Sequence, residues 1–147
     1  MKTVLINNIE YPTYATLEDA EIYFNAEFDS NWQHIENKEQ LLVTATRIID
    51  KKDFQGEKVE ATQPLKFPRI IAGQETDENL LIVACCELAN NIFKDGGKDA
   101  DISNLKSVSL GDSSITFKED GKTENDDDLL IEQYLSDYLI GGVRVIL

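Results

Sequence analysis

Apolar residues recur along this chain in two rhythms, a period of two at the start and a helical period over most of the remaining length. Over residues 3–14 apolar and polar positions alternate, Val4 with Ile6 and then Ile9 with Tyr11, around an Asn7-Asn8 pair that tolerates positive φ. This predicts a short N-terminal β-hairpin. Thr16 with Asp19 three residues later has the form of a capping box, after which Leu17, Ala20, Phe24 and Phe28 return at helical spacing. A first helix is therefore expected to run to near Asp29. Asn37 and Gln40 repeat the start signal, and Leu41, Leu42, Ala45, Ile48 and Ile49 form one apolar stripe that predicts a second helix, closed at Asp50.

Over residues 55–73 neither period holds. Gly56, Pro64 and Pro68 punctuate a connection that is long for a compact domain, so it should be pinned to the core by Leu65 and Phe67. Thr76, Asp77 and Glu78 then place a cap and negative charge at the start of a third helix, apolar nearly all round until Lys94 and Gly96, and hence the most buried. Val108 and Leu110, then Ile115 and Phe117, alternate on either side of Gly111-Asp112, a Gly-first pair that favours a type II′ turn and a second β-hairpin. The acidic run at 124–128 precedes Leu130, Ile131, Tyr134, Leu135 and Tyr138 and suits the N-terminus of a fourth helix. After Gly141-Gly142 come Val143, Arg144, Val145, Ile146 and Leu147, a β-prone apolar segment that calls for a partner. The expected fold is mainly α. It is a small bundle of about four helices, with a β-hairpin between the third and fourth and a short N-terminal hairpin. Residues 1–147 form one domain, with 141–147 as an extended tail.

A length of 147 residues is the usual size of one domain. The charge changes the picture more: 14 Lys plus Arg against 28 Asp plus Glu leave −14, which repels phosphate backbones and argues against sequence-independent duplex binding. No secretory leader pattern opens the chain and its longest apolar run, residues 80–86, is too short to span a bilayer, so a cytosolic protein without a membrane partner is expected. Cys85 and Cys86 are adjacent in an apolar run, which fits neither zinc spacing nor a disulfide framework; buried free thiols are expected.

Catalytic signatures are missing. The single histidine, His34, sits beside Trp32 between the first two helices, where a structural or solvated role is the ordinary one. There is no G-x-S-x-G or H-E-x-x-H pattern, and Gly97-Lys98 lacks both the first glycine and the following hydroxyl of a phosphate loop, with Ile92 and Asp99 in those places. Asp95, Asp99 and Asp101 lack the turn glycine and distal glutamate of a calcium loop. No catalytic residue, metal ligand or cofactor is assigned, and a non-enzymatic role is expected.

Several stretches, taken in order, resemble the head-to-tail connector family of long-tailed bacteriophages, also called adaptor or head-completion proteins. Some members carry a DnaT-like single-stranded-DNA-binding label. The resemblance rests on Tyr14-Ala15-Thr16-Leu17-Glu18-Asp19-Ala20 leading to Tyr23-Phe24, and on Leu42 through Ala45-Thr46 to Ile49-Asp50. Its most specific part is Gln63-Pro64-Leu65-Lys66-Phe67-Pro68-Arg69. It continues through Ala84-Cys85-Cys86-Glu87-Leu88-Ala89, Lys106-Ser107-Val108-Ser109-Leu110-Gly111-Asp112, and Tyr134-Leu135 to Tyr138-Leu139. The family often has Trp where Phe67 stands and an Ile-Pro pair where Thr76-Asp77-Glu78 opens the third helix.

The resemblance implies a virion structural protein of the neck, assembled in the bacterial host cytoplasm. It would form a twelvefold homo-oligomeric ring under the portal protein and join the capsid to a tail-side completion protein while DNA passes through as cargo. Val143, Arg144, Val145, Ile146 and Leu147 are then candidates for contact with the portal or a neighbouring subunit, and Leu110, Gly111, Asp112 and Ser113 for a tail-side or neighbour contact. The tail could equally pair with its own N-terminal hairpin. Gln63, Pro64, Leu65, Phe67, Pro68 and Arg69 read as a structural motif pinning a crossing segment, with Arg69 free to pair. Two other classes compete. A DnaT-like single-stranded-DNA-binding or replication-accessory protein would need a basic groove with stacking aromatics. An acidic DNA-mimic inhibitor would need carboxylates tiling one face at phosphate-like intervals.

Overall fold

The computed structural model describes residues 1–94 and 126–140. β1 (Thr3–Ile6) and β2 (Ile9–Pro12) form the antiparallel N-terminal hairpin, with Ile6 opposite Ile9 and Asn7 and Asn8 at φ 54° and 68°. Two successive positive-φ residues are what a two-residue type I′ turn requires, and asparagine reaches that region more easily than most residues.

α1 (Leu17–Asn25) starts from a complete capping box: Thr16 Oγ1 accepts from the Asp19 amide and Asp19 Oδ2 from the Thr16 amide, both at 3.0 Å. Such a cap is worth about 1 kcal/mol. The helix ends at Asn25, short of the expected Asp29, and the chain turns beyond it, with Asp29 at φ 57°. Phe28 therefore leaves the apolar stripe and is 96% exposed. A 3₁₀ turn (Asn31–His34), capped by Ser30, instead seats Trp32 on Phe24, their buried rings stacked 4.7 Å apart.

α2 (Lys38–Asp50) buries Leu42, Val43, Ala45, Thr46 and Ile49. Asn37 precedes it without the side-chain cap bond its position predicts. The connection after α2, expected to be irregular, contains a small antiparallel sheet: β3 (Glu57–Lys58), β4 (Arg69–Ile71) and β5 (Gln74–Glu75), in that order across the sheet. Strands of two or three residues are too short to show alternation, so no period announces them. Asp77 caps α3 (Glu78–Lys94) by accepting the Asn79 amide at 2.9 Å.

α3 is the central helix, as expected. Leu81, Ala84, Cys85, Cys86, Leu88, Ala89 and Ile92 are buried between α2 and α4 (Asp126–Leu135), with α1 packed alongside. Small side chains on this helix let α2 come close enough for Thr46 Oγ1 to meet Cys85 Sγ at 3.5 Å. The acidic first turn of α4, Asp126 to Asp128, stands at the positive end of that helix, and a 3₁₀ turn (Ser136–Tyr138) closes it. The described residues thus form four α-helices with two small antiparallel sheets. The predicted hairpin at Leu110, Gly111, Asp112 and Ser113 and the tail at Val143, Arg144, Val145, Ile146 and Leu147 lie outside the described residues.

Candidate functional site: a clamp and an acidic groove

The Gln63–Arg69 motif forms a polar clamp. Arg69, expected from the sequence to be free to pair, is instead fully engaged with main-chain carbonyls. Its Nε donates to the Gln55 carbonyl at 2.7 Å, and its Nη atoms donate to the carbonyls of Gly56 at 2.7 Å, Lys66 at 3.2 Å and Phe54 at 3.4 Å. A guanidinium suits this because its donors are fixed in one plane and cannot lose their charge. Gln63 closes the other side: its Oε1 accepts the Glu60 amide, and its Nε2 donates to the carbonyls of Leu65 and Pro68. Gly56 is essential to the geometry. At φ +75°, a Cβ there would stand 2.1 Å from the Ile70 carbonyl oxygen.

Behind the clamp four aromatic rings meet. Phe67, buried as predicted and preceding a cis proline bond to Pro68, packs edge-on against Phe54 at 4.6 Å and Tyr14 at 5.9 Å, and lies 5.7 Å from Tyr138. Leu65 lies half-buried against the same core. The Tyr14 hydroxyl donates to Asp50 and accepts the Phe67 amide, and Asp50 also accepts the Lys66 amide. Burial holds the Asp50 carboxyl above the ordinary carboxylate value, against the lowering hydrogen bonds from Tyr14 and Lys66. Burial beside that carboxylate likewise pushes the Tyr14 hydroxyl well up. The far end of the chain is stitched on here. The Gln55 amide donates to the Tyr138 carbonyl, the Ile140 amide to the Asp53 carbonyl, and the Gln55 side chain to the carbonyls of Asp137 and Leu139.

Beside the clamp lies a groove of about 740 Å³, bounded by the two residues before β1, Thr13 and Tyr14 after β2, the 59–68 loop and the start of α3. Its lining is apolar at Val59, Pro64, Leu65, Phe67 and Leu81 and acidic at Glu60, Glu75 and Glu78. Among the described side chains lining it Lys2 alone is cationic, and it is held by Asp19 at 2.9 Å and Glu78 at 3.5 Å. Among the described residues no group of His, Cys, Asp and Glu could hold a metal. His34 sits exposed at the end of its 3₁₀ turn.

Most cations of the described residues are already engaged. Lys38 pairs with Glu21, Lys52 with Asp128, and Lys66 and Lys58 donate to the carbonyls of Lys52 and Gln63. Arg47, Lys51 and Lys94 remain exposed, too few and too scattered for a basic track interleaved with aromatics. Cys85 and Cys86 are buried free thiols, as expected; burial pushes Cys85 up to about 11 and raises Cys86 further. No helix among the described residues is long and apolar enough to cross a membrane.

Sequence reading located the clamp motif and its buried Phe67. It missed Gln55, Tyr14 and Tyr138 as partners, because these meet across separations such as Gln55 to Leu139, for which no local signal exists. Residues 7–144 match a family model described as "Putative DnaT-like ssDNA binding protein". Neither a curated protein nor a solved structure matches the chain.

Proposed function

The chain belongs to this DnaT-like family, and from that premise we propose that it serves as a non-enzymatic head-to-tail connector subunit, one of a ring joining a phage capsid to its tail. The observation that carries this reading is the charge distribution. A chain of net charge −14, whose described cations are mostly committed to carboxylates and main-chain carbonyls, offers a strand of phosphates little to bind. An acidic lining suits a channel through which DNA slides without adhering. The ordered likeness to connector proteins, from Tyr14 to Leu139, supports the same reading. So do the exposed apolar side chains Leu5, Ile9, Ile22 and Phe28, which a ring subunit can cover with neighbours.

A second reading is single-stranded-DNA binding, favoured by the family's own description. It would place the nucleic acid on Arg47, Lys51 and Lys94 or on residues outside those described. Light scattering of the protein, alone and with portal rings, beside a titration of labelled single-stranded DNA, separates the two. A ring or portal complex without DNA affinity supports the connector. A persistent monomer with salt-sensitive DNA affinity overturns it in favour of the second reading.

A further inference from the structure

We propose that the acidic groove beside the clamp receives the segment Val143-Arg144-Val145-Ile146-Leu147 of a neighbouring copy of this chain. The inference deepens the ring reading and rests on it. Three features select the occupant. The groove is apolar at Val59, Leu65 and Leu81, which suits an extended segment whose alternate residues Val143, Val145 and Leu147 share one face. Its rim carries Glu60 and Glu75, which form no ion pair among the described residues, while Lys2 is already held by Asp19 and Glu78. Arg144 is the only cation of the segment, and it supplies the missing charge. Finally, among the described residues β5 pairs with β4 alone, so there the strand that bears Glu75 offers an edge onto which an extended segment can add main-chain hydrogen bonds.

Segment and groove are different patches of the same chain. A contact between unlike patches is heterologous, the kind that propagates from copy to copy and closes into a ring when the rotation allows. The last described residue, Ile140, is tied to Asp53, beside the aromatic cluster.

Full-length charge-swap variants test this. Glu75→Arg and Arg144→Glu should each weaken self-association by about tenfold or more in light scattering across a dilution series, with helical circular dichroism unchanged. An equimolar mixture of the two should regain it, because each then offers the other a matched groove and segment. Self-association of either variant at the wild-type level overturns the proposal. So does a double variant that recovers while the mixture does not, which would seat the segment in its own chain. Wild-type protein that stays monomeric throughout would sink the ring reading itself. The groove is then decided by a labelled Val-Arg-Val-Ile-Leu peptide: binding to wild type but not to Glu75→Arg supports the site, and no binding to wild type overturns it.

Discussion

Replacing Arg69 by methionine keeps the aliphatic stem and removes every donor of the clamp. Two of its bonds, to Gln55 and Gly56, are 2.7 Å long, while those to Lys66 and Phe54 are longer and weaker. A hydrogen bond to a charged group is worth about 1.5–3 kcal/mol. Arg69 is half-buried, so water can reach some of the freed carbonyls and the lower end applies. The two short bonds together then come to about 3 kcal/mol. In urea unfolding followed by circular dichroism, the midpoint should fall with the slope unchanged, and a domain of this size should lose roughly 10 °C in Tm. Arg69→Lys, whose single ammonium cannot span the same carbonyls, should forfeit about half as much. Arg47→Met, at an exposed site, is the control and should change little. If Arg69→Met stays within about 0.5 kcal/mol of wild type, the carbonyls are satisfied without the guanidinium and the clamp is ornamental.

The geometry also sets three other outcomes. Gly56→Ala should cost about 1–2 kcal/mol from its positive φ alone, and more from the collision with the Ile70 carbonyl; an unchanged melting temperature would mean that β3 and β4 part freely. Cys85 and Cys86 should react with an aromatic disulfide reagent roughly a hundredfold more slowly in the folded protein than in urea, and rapid labelling of the native chain would contradict their burial. Asp50, raised above 3.8 in the fold, should contribute stability that is fully present below about pH 3.8 and declines as pH rises through its folded value. The stability difference between wild type and Asp50→Asn should therefore fall with rising pH over that window, and a pH-independent difference would show that burial does not raise the carboxyl above its ordinary value.

Helices were the legible part of the chain because each is written locally. The Thr16/Asp19 box, the Leu42 stripe and the apolar run through Cys85 and Cys86 all lie within a few turns, and the structure places each on the expected helix. The N-terminal hairpin was equally readable from Asn7-Asn8. The parts that could not be read depend on distant partners. Phe28 has helical spacing, yet Trp32 takes the place on Phe24 that the stripe assigned to it. Arg69 after Pro68 gives no hint that three of the carbonyls it satisfies lie at residues 54–56. The groove was invisible for the same reason, since its walls come from the ends of the N-terminal hairpin, the 59–68 loop and the start of α3. Its candidate occupant could be singled out from the apolar run after Gly141-Gly142, but not its seat.

The stitching of residues 137–140 onto 53–55 also has a mechanical side. The bonds from Gln55 to Asp137, Tyr138 and Leu139 and from Ile140 to Asp53 join two antiparallel stretches of main chain. A pull on the chain beyond Ile140 would therefore reach the end of α2 and the Arg69 clamp before it strained α4. The molecule would take up traction through the junction of its helices and its small sheet, and a subunit tugged by its terminal segment would yield by unzipping that seam rather than by unwinding a helix.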